Sequence, residues 1–130
     1  METKIPDIQK RSAKDALVSI VIPAFNEIEC LSELCKKLIE VGERMDCRFE
    51  VIFVDDGSSD GTHDFIKHKH TGDSRFHFVS FSRNFGHQQA VIAGIEHAQG
   101  EAIVMMDADM QHPPDLIPRM VELWRQGFDI

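Results

Sequence analysis

The sequence predicts an α/β protein built on a mostly parallel sheet flanked by helices, and two observations carry that prediction. From Leu17 onward, short runs rich in Val, Ile and Phe alternate with longer stretches of helical periodicity, which is the pattern of successive βα units. The polar clusters fall where a strand run gives way to a helix pattern, the edge at which open α/β sheets bind ligands. Four such rounds can be counted. A chain of 130 residues with 42% hydrophobic content can bury one core, and two full domains are not expected.

The first run, LVSIVIP (Leu17 to Pro23), is apolar except for Ser19, as a strand buried on both faces should be. Asn26 and Glu29 have the spacing of a capping box, and Leu31, Leu34 and Leu38 then recur at helical spacing to about Gly42. The second run, FEVIFVDD, enters the turn Gly57-Ser58-Ser59-Asp60-Gly61-Thr62, with a short helix to about His68. A third, FHFVSFS, leads to Arg83-Asn84-Phe85-Gly86. The helix after it places Ala90, Ala93, Gly94 and Ala98 on one face, small enough to lie close against the sheet. The fourth run, EAIVMMD, ends in DADMQHPPD. The last helix, with Pro114 in its first turn, is expected to bury Leu116, Ile117, Met120, Val121 and Trp124. Gly127-Phe128-Asp129-Ile130 reads as the start of another strand, so the sheet is expected to be truncated after its fourth βα unit. Residues 1–16 are polar and mixed in charge, and are expected to form a mobile tail ahead of a domain at 17–130.

Composition narrows the function. Fourteen Lys and Arg against 22 Asp and Glu give a net charge of −8, which argues against nucleic-acid binding through phosphate neutralisation. An acidic chain that handles phosphates needs a cation. Cys30, Cys35 and Cys47 are odd in number and form no CxxC pair, so neither a disulfide framework nor a zinc knuckle is indicated, and a reducing compartment is the default. No stretch reaches the ~20 apolar residues of a membrane span, and the first residues lack the apolar core of a secretory signal. GxGxxG, GxxxxGK[ST] and HExxH are absent, which counts against dehydrogenase and P-loop chemistry.

Asp107 and Asp109 are two apart, so in extended backbone both carboxylates project to one side and can share a hard divalent cation, with Gln111 continuing the alternation. Mg²⁺ or Mn²⁺ suits such a site because it keeps coordination positions for phosphate oxygen. By spacing alone the same pair is ordinary turn chemistry. Asp55 and Asp56 are adjacent and point apart, one suited to capping the following turn and the other to accepting from a ligand N–H. His63, His68 and His70 read as a solvated helix face, whereas His87 and His112 lie in the polar loops and are candidates for ligand contact.

In order, VSIVIPAFNE, VIFVDDGSSDGT and SRNFGHQQAVIAGIEHAQGEAIVMMDADMQHPPDLIP resemble the nucleotide-binding half of an inverting GT-A (Rossmann-like) glycosyltransferase. The closest likeness is to the polyprenyl-phosphate glycosyltransferases, relatives of dolichyl-phosphate mannose synthase. The resemblance implies transfer from a nucleotide-diphosphate sugar donor to a polyprenyl (undecaprenyl-type) phosphate acceptor, dependent on Mg²⁺ or Mn²⁺. It places the full-length enzyme at the cytoplasmic face of the cell membrane, with membrane contact through regions absent here. Carried over residue by residue, it gives donor contacts to Pro23, Phe25, Glu27, Val54, Asp56, Asp107 and Ala108. Asp56 matches the base-binding aspartate, and Asp107, Asp109 and Gln111 match the metal ligands. SRNFGHQ resembles a signature of that branch without assigning a role to each residue. Catalytic and acceptor groups are expected beyond Ile130, so this segment alone is expected to be soluble and inactive. A nucleotide-sugar-binding module without transferase activity is the alternative. A nucleotidyltransferase is a weaker one, since PAFNE holds neither glycine nor Lys/Arg.

Overall fold

β1 (Leu17–Ala24) and β2 (Arg48–Asp55) pair in parallel from Leu17↔Arg48 to Ala24↔Asp55. The computed structural model describes residues 16–109 and 113–127. β3 (Phe76–Ser80) adds outside β2, and β4 (Ala102–Met105) adds outside β1, giving a four-stranded parallel sheet in the order β3-β2-β1-β4. Parallel neighbours need crossovers, and α1 (Ile28–Arg44), α2 (Thr62–Gly72) and α3 (His87–His97) supply them. After β4 a 3₁₀ turn (Pro114–Leu116) runs into α4 (Ile117–Arg125).

Strand parity divides the interior into two cores. Val18, Ile20, Ile22 and Ala24 of β1, with Phe49, Val51 and Phe53 of β2, face α1, α2 and α4 and pack on Leu31, Leu34, Leu38, Ile66 and Val121. Each fully buried aliphatic side chain of this kind contributes about 1.5–3 kcal/mol. Val21, Ile52 and Val54 point the other way, against Ala90 of α3. The expected small-residue face is what allows this approach: a Cβ on Gly94 would collide with Val21 and come within 3.1 Å of Val54.

Ser19, the polar interruption in the first run, also lies on the α3 face. Its hydroxyl donates to Glu50 Oε2 at 2.6 Å, the Gln99 N–H donates to the same oxygen at 2.8 Å, and the Gly100 N–H donates to Ser19 Oγ at 2.8 Å. This buried cluster satisfies its own polar groups and fixes the turn between α3 and β4.

Several boundaries differ from the sequence reading. α1 continues to Arg44 and α2 to Gly72, while β3 ends at Ser80 and β4 covers only Ala102–Met105. The longer α2 has a local cause, since His70 Nδ1 lies 2.6 Å from the Phe76 carbonyl and the Asp73 N–H closes on Lys69. Ala16, assigned to the tail, is 2% exposed and its carbonyl accepts from the Arg48 N–H; residues 1–15 and 128–130 lie outside the described residues. Leu116 is 55% exposed, because the 3₁₀ turn changes the rotation per residue before α4 begins. Ile117 and Val121 are buried as expected, and Met120 packs partly buried on that core.

At the start of β3, Asp73 accepts from the Arg75 backbone N–H and from its guanidinium, Nε at 3.0 Å and Nη2 at 2.8 Å, and the guanidinium lies 4.8 Å over the Phe49 ring. The Arg75 hydrogen bonds hold the Asp73 carboxyl below the usual carboxylate pKa. A depressed carboxyl stabilises the fold above its unfolded pKa and loses that contribution as pH falls through the folded value. Asp73→Asn is therefore expected to cost about 0.5–1 kcal/mol at pH 7. In urea titrations the gap from the parent protein should close below the ordinary carboxylate range, and a gap that stays constant with pH would show that the ion pair is not its source.

Candidate functional site

The chain leaves β1 toward β2 and β3 on one side and returns to β4 on the other, so the strand order reverses between β1 and β4. Such a switch point leaves a crevice at the carboxyl ends of the strands. A cavity of about 530 Å³ lies there, lined by residues following β1 (Phe25, Glu27), β2 (Asp56), β3 (Asn84, Gly86) and β4 (Asp107, Ala108, Asp109), together with His87. Another cavity, of about 460 Å³, sits near Leu17, Gly42, Phe49 and Arg75, away from the loops that carry the polar motifs.

The rim of the first cavity is hydrogen-bonded from loop to loop. Asn26 adopts φ 52°, donates its N–H to Ser58 Oγ at 2.9 Å and accepts the Ser59 N–H at 2.8 Å. It is not the N-cap of α1: that position is Glu27, whose N–H donates to Thr62 Oγ1 at 3.0 Å while the Ile28 N–H donates to Asp60 Oδ2 at 3.3 Å. The capping-box reading fails because the oxygens that reach these amides come from the turn after β2. Asp55 takes the turn-capping role, accepting the Ser58 N–H at 3.0 Å, and His63 Nδ1 lies 3.3 Å from its other oxygen. Asp56 is 4% exposed and accepts the Phe85 N–H at 2.7 Å and the Gly86 N–H at 3.1 Å.

The alternation expected around Asp107 is present. Met106 and Ala108 are buried in the larger core, while Asp107 and Asp109 line the cavity, and His87 Nε2 lies 3.2 Å from Asp107 Oδ1. Glu27 joins them: burial, and then the neighbouring carboxylates of Asp109, Asp60 and Asp107, push its pKa above the ordinary value. Glu27, Asp56, Asp107 and Asp109 thus share a lining in which, among the described residues, there is no Lys or Arg. Among the described residues no three acidic, His or Cys groups close up into a ready-made metal cage. A pair of carboxylates that leaves the remaining positions to water or phosphate oxygen is the arrangement that suits Mg²⁺ or Mn²⁺, and the donor set is all oxygen, as those ions prefer.

Pro23, Phe25, Glu27, Asp56, Asp107, Ala108 and Asp109 are brought together as the sequence indicated. Val54 is not: its side chain is 0% exposed and packs with Val21, Ile52 and Ala90 beneath α3, so in place of a donor contact it supplies core. Gln111 and His112 lie outside the described residues. Asn84 and Gly86 line the cavity without having been given roles. Gly86 left a signal, since at φ 107° and ψ 157° only glycine is comfortable.

The family model described as Glycosyl transferase family 2 matches residues 19–130. A relative named undecaprenyl-phosphate 4-deoxy-4-formamido-L-arabinose transferase, from Pseudomonas syringae pv. syringae (strain B728a), is 44% identical over 114 residues, covering 87% of this chain and 34% of its own. An uncharacterized glycosyltransferase of Bacillus subtilis (strain 168) is 43% identical over 112 residues, 86% of this chain and 35% of the relative. The chain therefore spans about a third of the length of these relatives. Among solved structures, a mannosyltransferase from Pyrobaculum calidifontis in complex with GDP-Man and Mn²⁺ superposes with a TM-score of 0.72 at 23% identity, over 95% of this chain and 35% of that one. Glucosyl-3-phosphoglycerate synthase from Mycobacterium tuberculosis, in complex with UDP, gives 0.67 at 22% identity over 86% and 41%. These likenesses bear out the GT-A fold.

Because Asn26 combines a left-handed backbone with two loop-to-loop hydrogen bonds, its replacements should separate the two contributions. Asn26→Ala is expected to cost about 1–2 kcal/mol in urea unfolding, from the lost acceptor and the strained φ. Asn26→Gly, free of the strain, should cost less. Equal losses would show that backbone strain plays no part at this position.

Proposed function

The chain belongs to glycosyl transferase family 2, and from that premise we propose that it forms the donor-binding part of a metal-dependent, inverting glycosyltransferase. The proposed reaction moves a sugar from a nucleotide-diphosphate sugar to a polyprenyl phosphate of the undecaprenyl type. The observation that carries the reading is the cavity lining at the switch point of the sheet, four carboxylates with no Lys or Arg among the described residues. A diphosphate entering such a lining meets like charge, so it needs a cation to bind there. The proposed acceptor is that of the relatives named undecaprenyl-phosphate 4-deoxy-4-formamido-L-arabinose transferase, which share 39–44% identity with the chain.

In this reading Pro23 and Phe25 wall the nucleoside, with Phe25 45% exposed at the cavity, and the Asp56 carboxylate accepts from the base. Asp107 and Asp109, with Gln111 following them, hold Mg²⁺ or Mn²⁺. When bound, that ion offsets the charge developing on the departing nucleotide diphosphate. Glu27 and Ala108 bound the space in which the diphosphate lies. A phosphate acceptor is already ionised at neutral pH and reaches the anomeric carbon without a strong base. The acceptor-side groups belong to the part of the enzyme outside this chain, and the full-length enzyme works at the cytoplasmic face of the membrane. No helix among the described residues is long and apolar enough to cross a bilayer.

The test is calorimetry of UDP binding with and without Mn²⁺. Side chains that merely support a metal ligand are worth about 10–100-fold in metal affinity, so Asp109→Asn should weaken Mn²⁺-dependent UDP binding by at least about tenfold. Its thermal unfolding should change little, because Asp109 is exposed. Undiminished affinity in Asp109→Asn would remove the metal assignment, and UDP binding indifferent to Mn²⁺ would remove the proposed mechanism.

A further inference from the structure

We propose that Asp56 is a positioning residue for the cation side of the cavity. Its buried carboxylate holds residues 85–87, and through them it seats His87 against Asp107, independently of any contact with a base. The proposal rests on reading the cavity as a donor and cation site, and it gives Asp56 a second task there.

Both Asp56 oxygens are engaged, Oδ1 by the Phe85 N–H at 2.7 Å and Oδ2 by the Gly86 N–H at 3.1 Å. Those amides lead into α3, whose N-cap residue, Gly86, offers no side chain to cap it. The Asp56 carboxylate, just past the end of β2, ties this lead-in to the sheet. Gly57 completes the joint: at φ 76° its Cα lies so close to the Arg83–Asn84 peptide that a Cβ would stand 2.8 Å from Arg83 Cα and closer still to the peptide atoms. Phe85 is held from outside by the Phe81 ring at 5.5 Å and the Arg83 guanidinium at 4.6 Å.

The residue after the clamped pair is His87, which reaches Asp107 across the cavity at 3.2 Å. α3 is fixed on the sheet by Ala90, at the end of its first turn, and by Gly94 against Val21. Asp56 adds the hold on the two amides that come immediately before His87. An ionised carboxylate has about four acceptor sites, so the clamp and a hydrogen bond from a base can coexist on one side chain. Partners that orient a metal ligand govern affinity nearly as strongly as the ligand does.

A probe without a base separates the two tasks of Asp56. Inorganic pyrophosphate with Mn²⁺ is titrated calorimetrically into the 130-residue chain, its Asp56→Asn, His87→Ala and double variants, and Gly57→Ala. Asparagine keeps the volume and one acceptor but turns an NH₂ toward one of the two amides. Asp56→Asn is expected to weaken Mn²⁺-pyrophosphate binding by about tenfold or more. His87→Ala should do the same, and the double variant should be no worse than the poorer single one. Gly57→Ala leaves Asp56 intact but displaces the Arg83–Asn84 backbone, and should reproduce the loss even if Asp56→Asn does not fold. The His87 ring ¹⁵N shifts should move in Asp56→Asn while those of His97, bonded within α3, stay put. A folded Asp56→Asn protein with parental pyrophosphate affinity, or additive losses in the double variant, overturns the proposal and leaves the functional reading standing. Failure of the parent chain to bind pyrophosphate with Mn²⁺ overturns both.

Discussion

Three helices, α1, α2 and α3, begin at the carboxyl edge of the sheet with backbone N–H groups that their own N-cap side chains do not satisfy. None of α1 to α4 has a side-chain cap from its N-cap residue, although the first amides of a helix have no partner within it. The partners come from neighbouring loops: Thr62 and Asp60 serve Glu27 and Ile28 at the start of α1, and Asp56 serves Phe85 and Gly86 at the start of α3. The requirement that such groups be paired therefore ties the connections after β1, β2 and β3 into one rim, and the His87–Asp107 contact extends it to β4. The cavity has its shape because the helix starts need acceptors.

The two ends of the sheet are organised differently. At the amino end, Ser19, Glu50, Gln99 and Gly100 hydrogen-bond to one another, which pins the turn that leads from α3 into β4. At the carboxyl end four carboxylates line one cavity, and the crowding is felt at Glu27. Negative charge gathered in a concave site favours a cation over any neutral or anionic guest.

Much of this was legible in the sequence because it depends on local period. The alternation that buries Ala108 and turns Asp107 and Asp109 outward is a property of extended backbone, and so is the small-residue face that lets α3 approach Val21. What the sequence hid was long-range. Asn26 and Glu29 satisfy the spacing of a capping box, yet the oxygens that serve the start of α1 lie more than 30 residues away. Val54 occupies the position that a family resemblance marks as a donor contact, while strand parity, readable from Ile52, sends its side chain under α3. Asp56 looked free because its partners are backbone amides, which carry no residue-type signature.

The shared rim also sets how this surface can change over time. Where residues hold one another through a network, the effects of substitutions do not add. A replacement in the DDGSSDGT turn alters the start of two helices it does not belong to. Sequence drift in these loops is therefore constrained to proceed in linked sets, and a loop taken alone from a relative would arrive without the acceptors its new neighbours require. Variation is cheapest where the rim makes no demand, on the outward faces of α3 and β4, where Ile92, Ile95, Ile103 and Met105 stand exposed.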